Sequence, residues 1–118
     1  MVRHDSEVTT YNLSGHGIKD VAKQVLAGPR DGFGGYLRKF TVSPGGHTPY
    51  HCHDWYHLVY VVGGEGVVTA EGIERPIREG SVVHVEAGKE HGFTCTGTTD
   101  MQFLCLVPES GDQYNEKD

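Results

Sequence analysis

The stretch that decides the fold is His51 to Gly64, HCHDWYHLVYVVGG, in which three histidines, at 51, 53 and 57, run straight into a hydrophobic segment. In an extended chain side chains alternate faces with a period of two. Positions 51, 53 and 57 differ by even numbers, so one strand would turn all three imidazoles to the same side, with Cys52 and Leu58 on the other. A lone histidine on a strand is usually a hydrogen-bonded packing residue. Three that converge point to a bound transition metal, for which imidazole is a favoured donor.

On the N-terminal side, Ser43-Pro44-Gly45-Gly46 reads as a strong turn, with extended chain resuming at Thr48 to carry the histidines. Before it, Gly32 to Val42, GFGGYLRKFTV, alternates weakly: Tyr36, Arg38, Phe40 and Val42 share one face, and Leu37, Lys39 and Thr41 the other. Asp20 to Leu26 fits helix or strand by pattern, and its β-branched residues followed by Gly28-Pro29 favour a strand. Residues 1–10 are polar and read as loose.

On the C-terminal side, Val59 to Val62, a Gly63-Gly64-Glu65-Gly66 turn and Val67 to Ala70 read as a hairpin. Glu71-Gly72 turns into IERPI. SVVHVE, His91 to Cys95 and Met101 to Val107 are further short strands, the last with Phe103, Cys105 and Val107 on one face. Pro108 ends it, and SGDQYNEKD reads as a solvated tail. Many short strands separated by turns predict an all-β sandwich or barrel.

The 118 residues suit one domain, 1–118, with a core over about 20–108 between flexible tails. Seventeen glycines and five prolines, spread along the chain, fit tight β turns. Net charge is −6 with no Lys/Arg cluster, which argues against nucleic acid or an anionic membrane as partner. MVRHDSEV lacks the apolar region of a signal peptide, and no apolar run nears the ~20 residues of a membrane helix. Cys52, Cys95 and Cys105 are odd in number and form no C-x-x-C pair, as expected of free thiols in a reducing cytoplasm.

These residues carry a resemblance to the cupin superfamily. Its first motif runs Gly, five residues, His-x-His, three or four residues, Glu, six residues, Gly. Gly45, His51, His53, His57 and Gly64 keep every spacing, with His57 in place of Glu. In the second motif Gly80, Gly88 and His91 keep theirs, with Glu86 in place of Pro and Cys95 in place of Asn. The resemblance implies a double-stranded β-helix, or jelly-roll barrel. It also implies a metal held by His51, His53, His57 and His91, the last a ligand that spacing alone does not single out.

H-x-H-x-W-x-H, the closing FLCLVP and the short length are similar to the small single-domain four-histidine manganese cupins. That likeness implies one manganese ion per chain, with two open coordination positions and oxygenase-like activity. Ligand type by itself suits iron, nickel, copper or zinc equally.

Four neutral imidazoles leave the charge of a divalent ion uncompensated and supply no carboxylate for proton transfer. Parity offers Arg38, Phe40, Phe93, Cys95, Phe103 and Cys105 as a substrate-pocket wall, though each also reads as core packing. Arg38 is a candidate partner for a substrate carboxylate. Trp55 is expected to pack at the barrel mouth or a subunit contact. His4, His16, His47 and His84 have no partner spacing.

The expected function is a dioxygenase-type oxidoreductase acting on a small organic molecule. The alternatives are a metal-dependent isomerase or lyase on a sugar or keto acid, and a non-enzymatic small-molecule binder. Pairing of exposed edge strands predicts a homodimer.

Overall fold

The computed structural model describes residues 1–112. Alternation of apolar and polar residues builds nine strands: β1 Tyr11–Leu13, β2 Lys19–Ala27, β3 Gly35–His47, β4 His57–Gly63, β5 Glu65–Ala70, β6 Ile73–Arg78, β7 Val82–Val85, β8 His91–Cys95 and β9 Met101–Pro108. They form one curled antiparallel sheet in the order β6-β5-β8-β3-β9-β4-β7, with β2 on β3 and β1 on β2. The architecture is the all-β jelly roll.

Along β9 every second residue is buried, Met101, Phe103, Cys105 and Val107, and β4 does the same with His57, Val59 and Val61. With Phe40, Val42, Val68, Phe93 and Cys95 these inward side chains make one core. The edge strand β6 carries Glu74, Arg75, Pro76 and Arg78, charges and a proline that discourage further strand addition.

The structure corrects four local expectations. Ser43 to Gly46 is not a turn between strands: β3 runs through it, and opposite β2 the register jumps between Val21↔Val42 and Lys19↔His47. The segment is a bulge, with Gly45 at a φ of 81°. It bends β3 from its partner β9, paired from Gly35 to Val42, towards β8, met at His47↔Thr94.

Val59 to Val62 and Val67 to Ala70 do not form a hairpin either. β4 pairs with β7 and β9, while β5 pairs with β6 and β8, so Gly64 carries the chain between two halves of the barrel. Two successive strands joined by a glycine turn look alike whether they pair or part.

The first ten residues are tied down rather than loose. A short 3-10 turn at Asp5–Glu7 is held by Lys39 Nζ donating to Asp5 at 2.8 Å and Gln24 Nε2 donating to the Asp5 carbonyl at 2.8 Å. The segment after Pro108 is not simply solvated. Glu109–Gly111 is a 3-10 turn with Gly111 buried, and Asp112 turns inward; the expectation for the rest of the tail lies outside the described residues.

Candidate metal centre

The histidines do not lie on one strand, as simple alternation would have it. His51 sits in an isolated bridge with His91, its N–H donating to the His91 carbonyl at 3.0 Å and the return bond spanning 2.8 Å. Thr48 begins this run beside β8, its N–H donating to the Phe93 carbonyl at 2.9 Å. Pro49, with no N–H, cannot continue a regular ladder. His53 is in the loop that follows, and His57 opens β4. Tertiary pairing, not strand parity, brings the rings together.

His51, His53 and His91 bring one ring nitrogen each to within 4.8 Å of one another. The Nε2 atoms of His51 and His53 are 3.1 Å apart. His57 lies deeper and outside that tightest trio, with its ring centroid 4.7 Å from His91 and 5.2 Å from His53.

Three of the rings have partners outside the cluster. The Lys89 carbonyl, 2.9 Å from His91 Nδ1, accepts its proton, which leaves Nε2 as the lone-pair nitrogen. The indole of Trp55 stacks on His53 with centroids 4.5 Å apart and planes 4° from parallel. His57 Nδ1 lies 3.3 Å from Cys105 Sγ. Its Nε2 is buried with no hydrogen-bond partner among the described residues.

Burial keeps these rings neutral. It pushes His51 and His53 down to about 4 and His57 down to about 2, with neighbouring imidazoles adding repulsion, and it lowers His91 as well. Uncharged imidazoles with clustered lone pairs are donors suited to a transition metal, and the orphaned Nε2 of His57 is what an ion would satisfy.

The six expected pocket residues are all buried. Phe103 stacks between Phe40, at 5.3 Å, and Phe93, at 4.8 Å, making an aromatic floor below the histidines. Cys105 touches the site directly through His57. Cys95 lies four residues along β8 from His91, and its thiol donates to the Thr99 carbonyl at 3.3 Å, on the loop side of the strand.

Arg38 is not available to a substrate carboxylate. Its Nη1 lies 3.3 Å from Asp112, its Nη2 donates to Cys105 Sγ at 3.1 Å, and its guanidinium is 5.0 Å from the Phe40 ring centre. Asp112, missed in the sequence, also receives Lys23 Nζ at 3.0 Å. No spacing signal could have marked it, because it meets Lys23 and Arg38 only in the folded barrel. Burial pushes the Cys105 thiol pKa up. A cleft of about 550 Å³ lined by Arg3, Val25, Arg30, Asp31, Tyr36 and Asp112 holds none of the histidines.

The cupin domain family matches residues 38–107, more than half of the chain. The chain belongs to the cupin family. This cupin is 28% identical over 112 residues to an oxalate-binding protein of Thermotoga maritima, covering 91% of this chain and 93% of that one. Among solved structures it resembles the polyketide cyclase RemF of Streptomyces resistomycificus, with a TM-score of 0.84 and 29% identity over 92% of this cupin and 80% of that chain. A predicted oxalate decarboxylase from Thermotoga maritima gives a TM-score of 0.84 and 28% identity, covering 92% and 98%.

Proposed function

We propose that this cupin holds one divalent transition metal through His51, His53, His57 and His91 and carries out oxygenase-type chemistry on a small organic substrate. The observation that carries the reading is His57 Nε2, a buried nitrogen without a partner among the described residues, beside three more imidazoles. Most buried polar atoms in folded proteins are satisfied. Arg38 Nε and Trp55 Nε1 are also buried without a partner among the described residues, but His57 Nε2 is the one with an available lone pair beside other imidazoles, and an ion shared with those rings would satisfy it.

Manganese is the ion the four-histidine resemblance favours. Iron, nickel, copper and zinc suit the same donors. When bound, such an ion supplies Lewis acidity and, as manganese or iron, redox capacity toward oxygen or peroxide. Four donors are fewer than the six of an octahedral ion, which leaves room for a ligand.

The chain itself sets what that ligand is. Four uncharged rings give no negative charge to the site, so an anionic or enolisable molecule is favoured. Phe40, Phe93 and Phe103 wall the interior and exclude water beneath it. The site lacks a carboxylate ligand for proton transfer, which argues against isomerase or lyase chemistry.

A second reading, a non-enzymatic binder of a small carboxylate, is favoured by the name of the oxalate-binding relative, which matches nearly end to end. The protein is further read as a cytoplasmic homodimer. Strands β3, β9, β4 and β7 turn Leu37, Leu106, Leu58 and His84 outward in one row and Lys39, Leu104, Tyr60 and Val82 in the next, a face with an apolar centre suited to a second copy.

Elemental analysis of protein purified without added metal or affinity resin names the ion and its stoichiometry. Turnover of diketones, flavonols or alkenes that needs oxygen or added alkyl peroxide and is lost in His53→Ala supports the oxygenase. Turnover that persists under argon with no peroxide added favours the isomerase or lyase. Calorimetric binding of oxalate without turnover favours the binder.

A further inference from the structure

Two lines of contact lead from the carboxyl-terminal turn to the histidines. In the first, Asp112 meets Arg38 Nη1 at 3.3 Å, Arg38 Nη2 donates to Cys105 Sγ at 3.1 Å, and Cys105 Sγ lies 3.3 Å from His57 Nδ1. Every side chain in it is more than nine-tenths buried, from Asp112 at 7% exposed to Arg38 at 1%. In the second, Gly111 packs so tightly that a Cβ built on it would fall 2.9 Å from Trp55 Cδ1 and Nε1. Trp55 in turn stacks on His53.

We propose that the relay Asp112–Arg38–Cys105 positions the His57 ring for metal binding, so that the turn at Glu109–Asp112, outside both histidine motifs, sets metal affinity. The inference rests on the four-histidine reading.

The physical reasoning concerns orientation. An imidazole ligates through one nitrogen, and the partner of the other nitrogen fixes the plane of the ring. Arg38 has donors only, so Cys105 sulfur must accept from it, which anchors the sulfur. The anchored sulfur meets Nδ1 and leaves the buried Nε2 as the free nitrogen, in a ring whose centroid is 4.7 Å from that of His91. Asp112 holds the guanidinium that holds the sulfur. The Gly111–Trp55 contact braces His53 from the same turn.

The test is calorimetric titration of the full chain with Mn(II), together with the electron paramagnetic resonance spectrum of the bound ion. Cys105→Val keeps a buried apolar group but removes the sulfur acceptor, and is expected to weaken Mn(II) binding by about 10–100-fold and alter the spectrum. Cys105→Ser, whose hydroxyl accepts from the same donors, is expected to restore affinity to within a few-fold of wild type. A packing role alone would rank these two variants the other way.

Asp112→Asn is expected to weaken binding in the same direction, by about tenfold. Val61→Ala, a core change in β4 away from the relay, serves as a stability-matched control with unchanged affinity. Thermal unfolding of each variant separates loss of fold from loss of ligand. Cys105→Val binding Mn(II) as tightly as wild type, with the same spectrum, overturns the relay while leaving the metal reading standing. A wild-type protein that binds no Mn(II), Fe(II) or Zn(II) overturns both.

Discussion

The histidines are expensive residues to bury. An ordinary imidazole takes up a proton near 6.5, whereas burial, which disfavours the charged ring, pushes His51 and His53 down to about 4 and His57 down to about 2. Between those values the unfolded chain binds more protons than the folded one, so stability rises with pH. The metal-free protein is therefore expected to be most stable above pH 7. It should lose stability steadily as pH falls through 6.5 towards 4, as measured by urea unfolding across that range. A flat profile would mean the rings are solvated in the folded state. His91→Ala is expected to abolish stoichiometric metal in elemental analysis at some cost in stability, because the ring is buried, while circular dichroism still shows the β fold, because the β5–β8 backbone pairing does not need the ring.

At the scale of single elements, β4, β5 and β9 carry the energetics. Met101 is fully buried at the start of β9, with its sulfur lying where a Cβ on Gly66 would fall, 2.6 Å away. Met101→Ala removes that filling and is expected to cost about 2–5 kcal/mol in denaturant unfolding. Leu104→Ala, whose side chain faces outward on the same strand, is expected to cost much less in the monomer. Gly64, at a φ of 76°, is where β4 leaves one half of the barrel for β5 in the other. A side chain there would meet the Asp100 carbonyl. Gly64→Ala is expected to lower stability by roughly 2 kcal/mol or more, combining left-handed backbone strain with that contact.

For the molecule as a whole, the sheet has an outer face whose apolar centre is flanked by Lys39 and His84, and an edge strand guarded by charges. Leu58 and Tyr60 are 42% and 48% exposed on the outside of β4, and their registers place them beside Leu106 and Leu104 of β9. Light scattering is expected to give twice the 12.9 kDa chain mass, and the Leu58→Glu/Tyr60→Glu double variant is expected to give a folded monomer whose melting temperature is lower and no longer rises with protein concentration. A monomeric wild type would remove the dimer. The charges and proline of β6 leave that edge a poor site for the same contact.

Most strand positions were readable locally, because burial on one face of a strand forces an alternation that the residues display. His57 to Val61 and Met101 to Val107 carry that alternation openly, and the resemblance of two spaced motifs supplied His91. Connectivity was not readable. Whether β4 and β5 pair, or whether Ser43 to Gly46 turns or bulges, depends on which distant strand offers free N–H and C=O groups, and glycine permits both outcomes. The same holds for Asp112: a carboxylate in a polar tail becomes a buried partner only because folding leaves Lys23 and Arg38 inside the barrel with positive charges that must be met. By itself the sequence determined the barrel class and marked the four histidines as candidate donors. The tertiary structure alone decided how those rings converge and what holds them, since both are contacts between segments far apart in the chain.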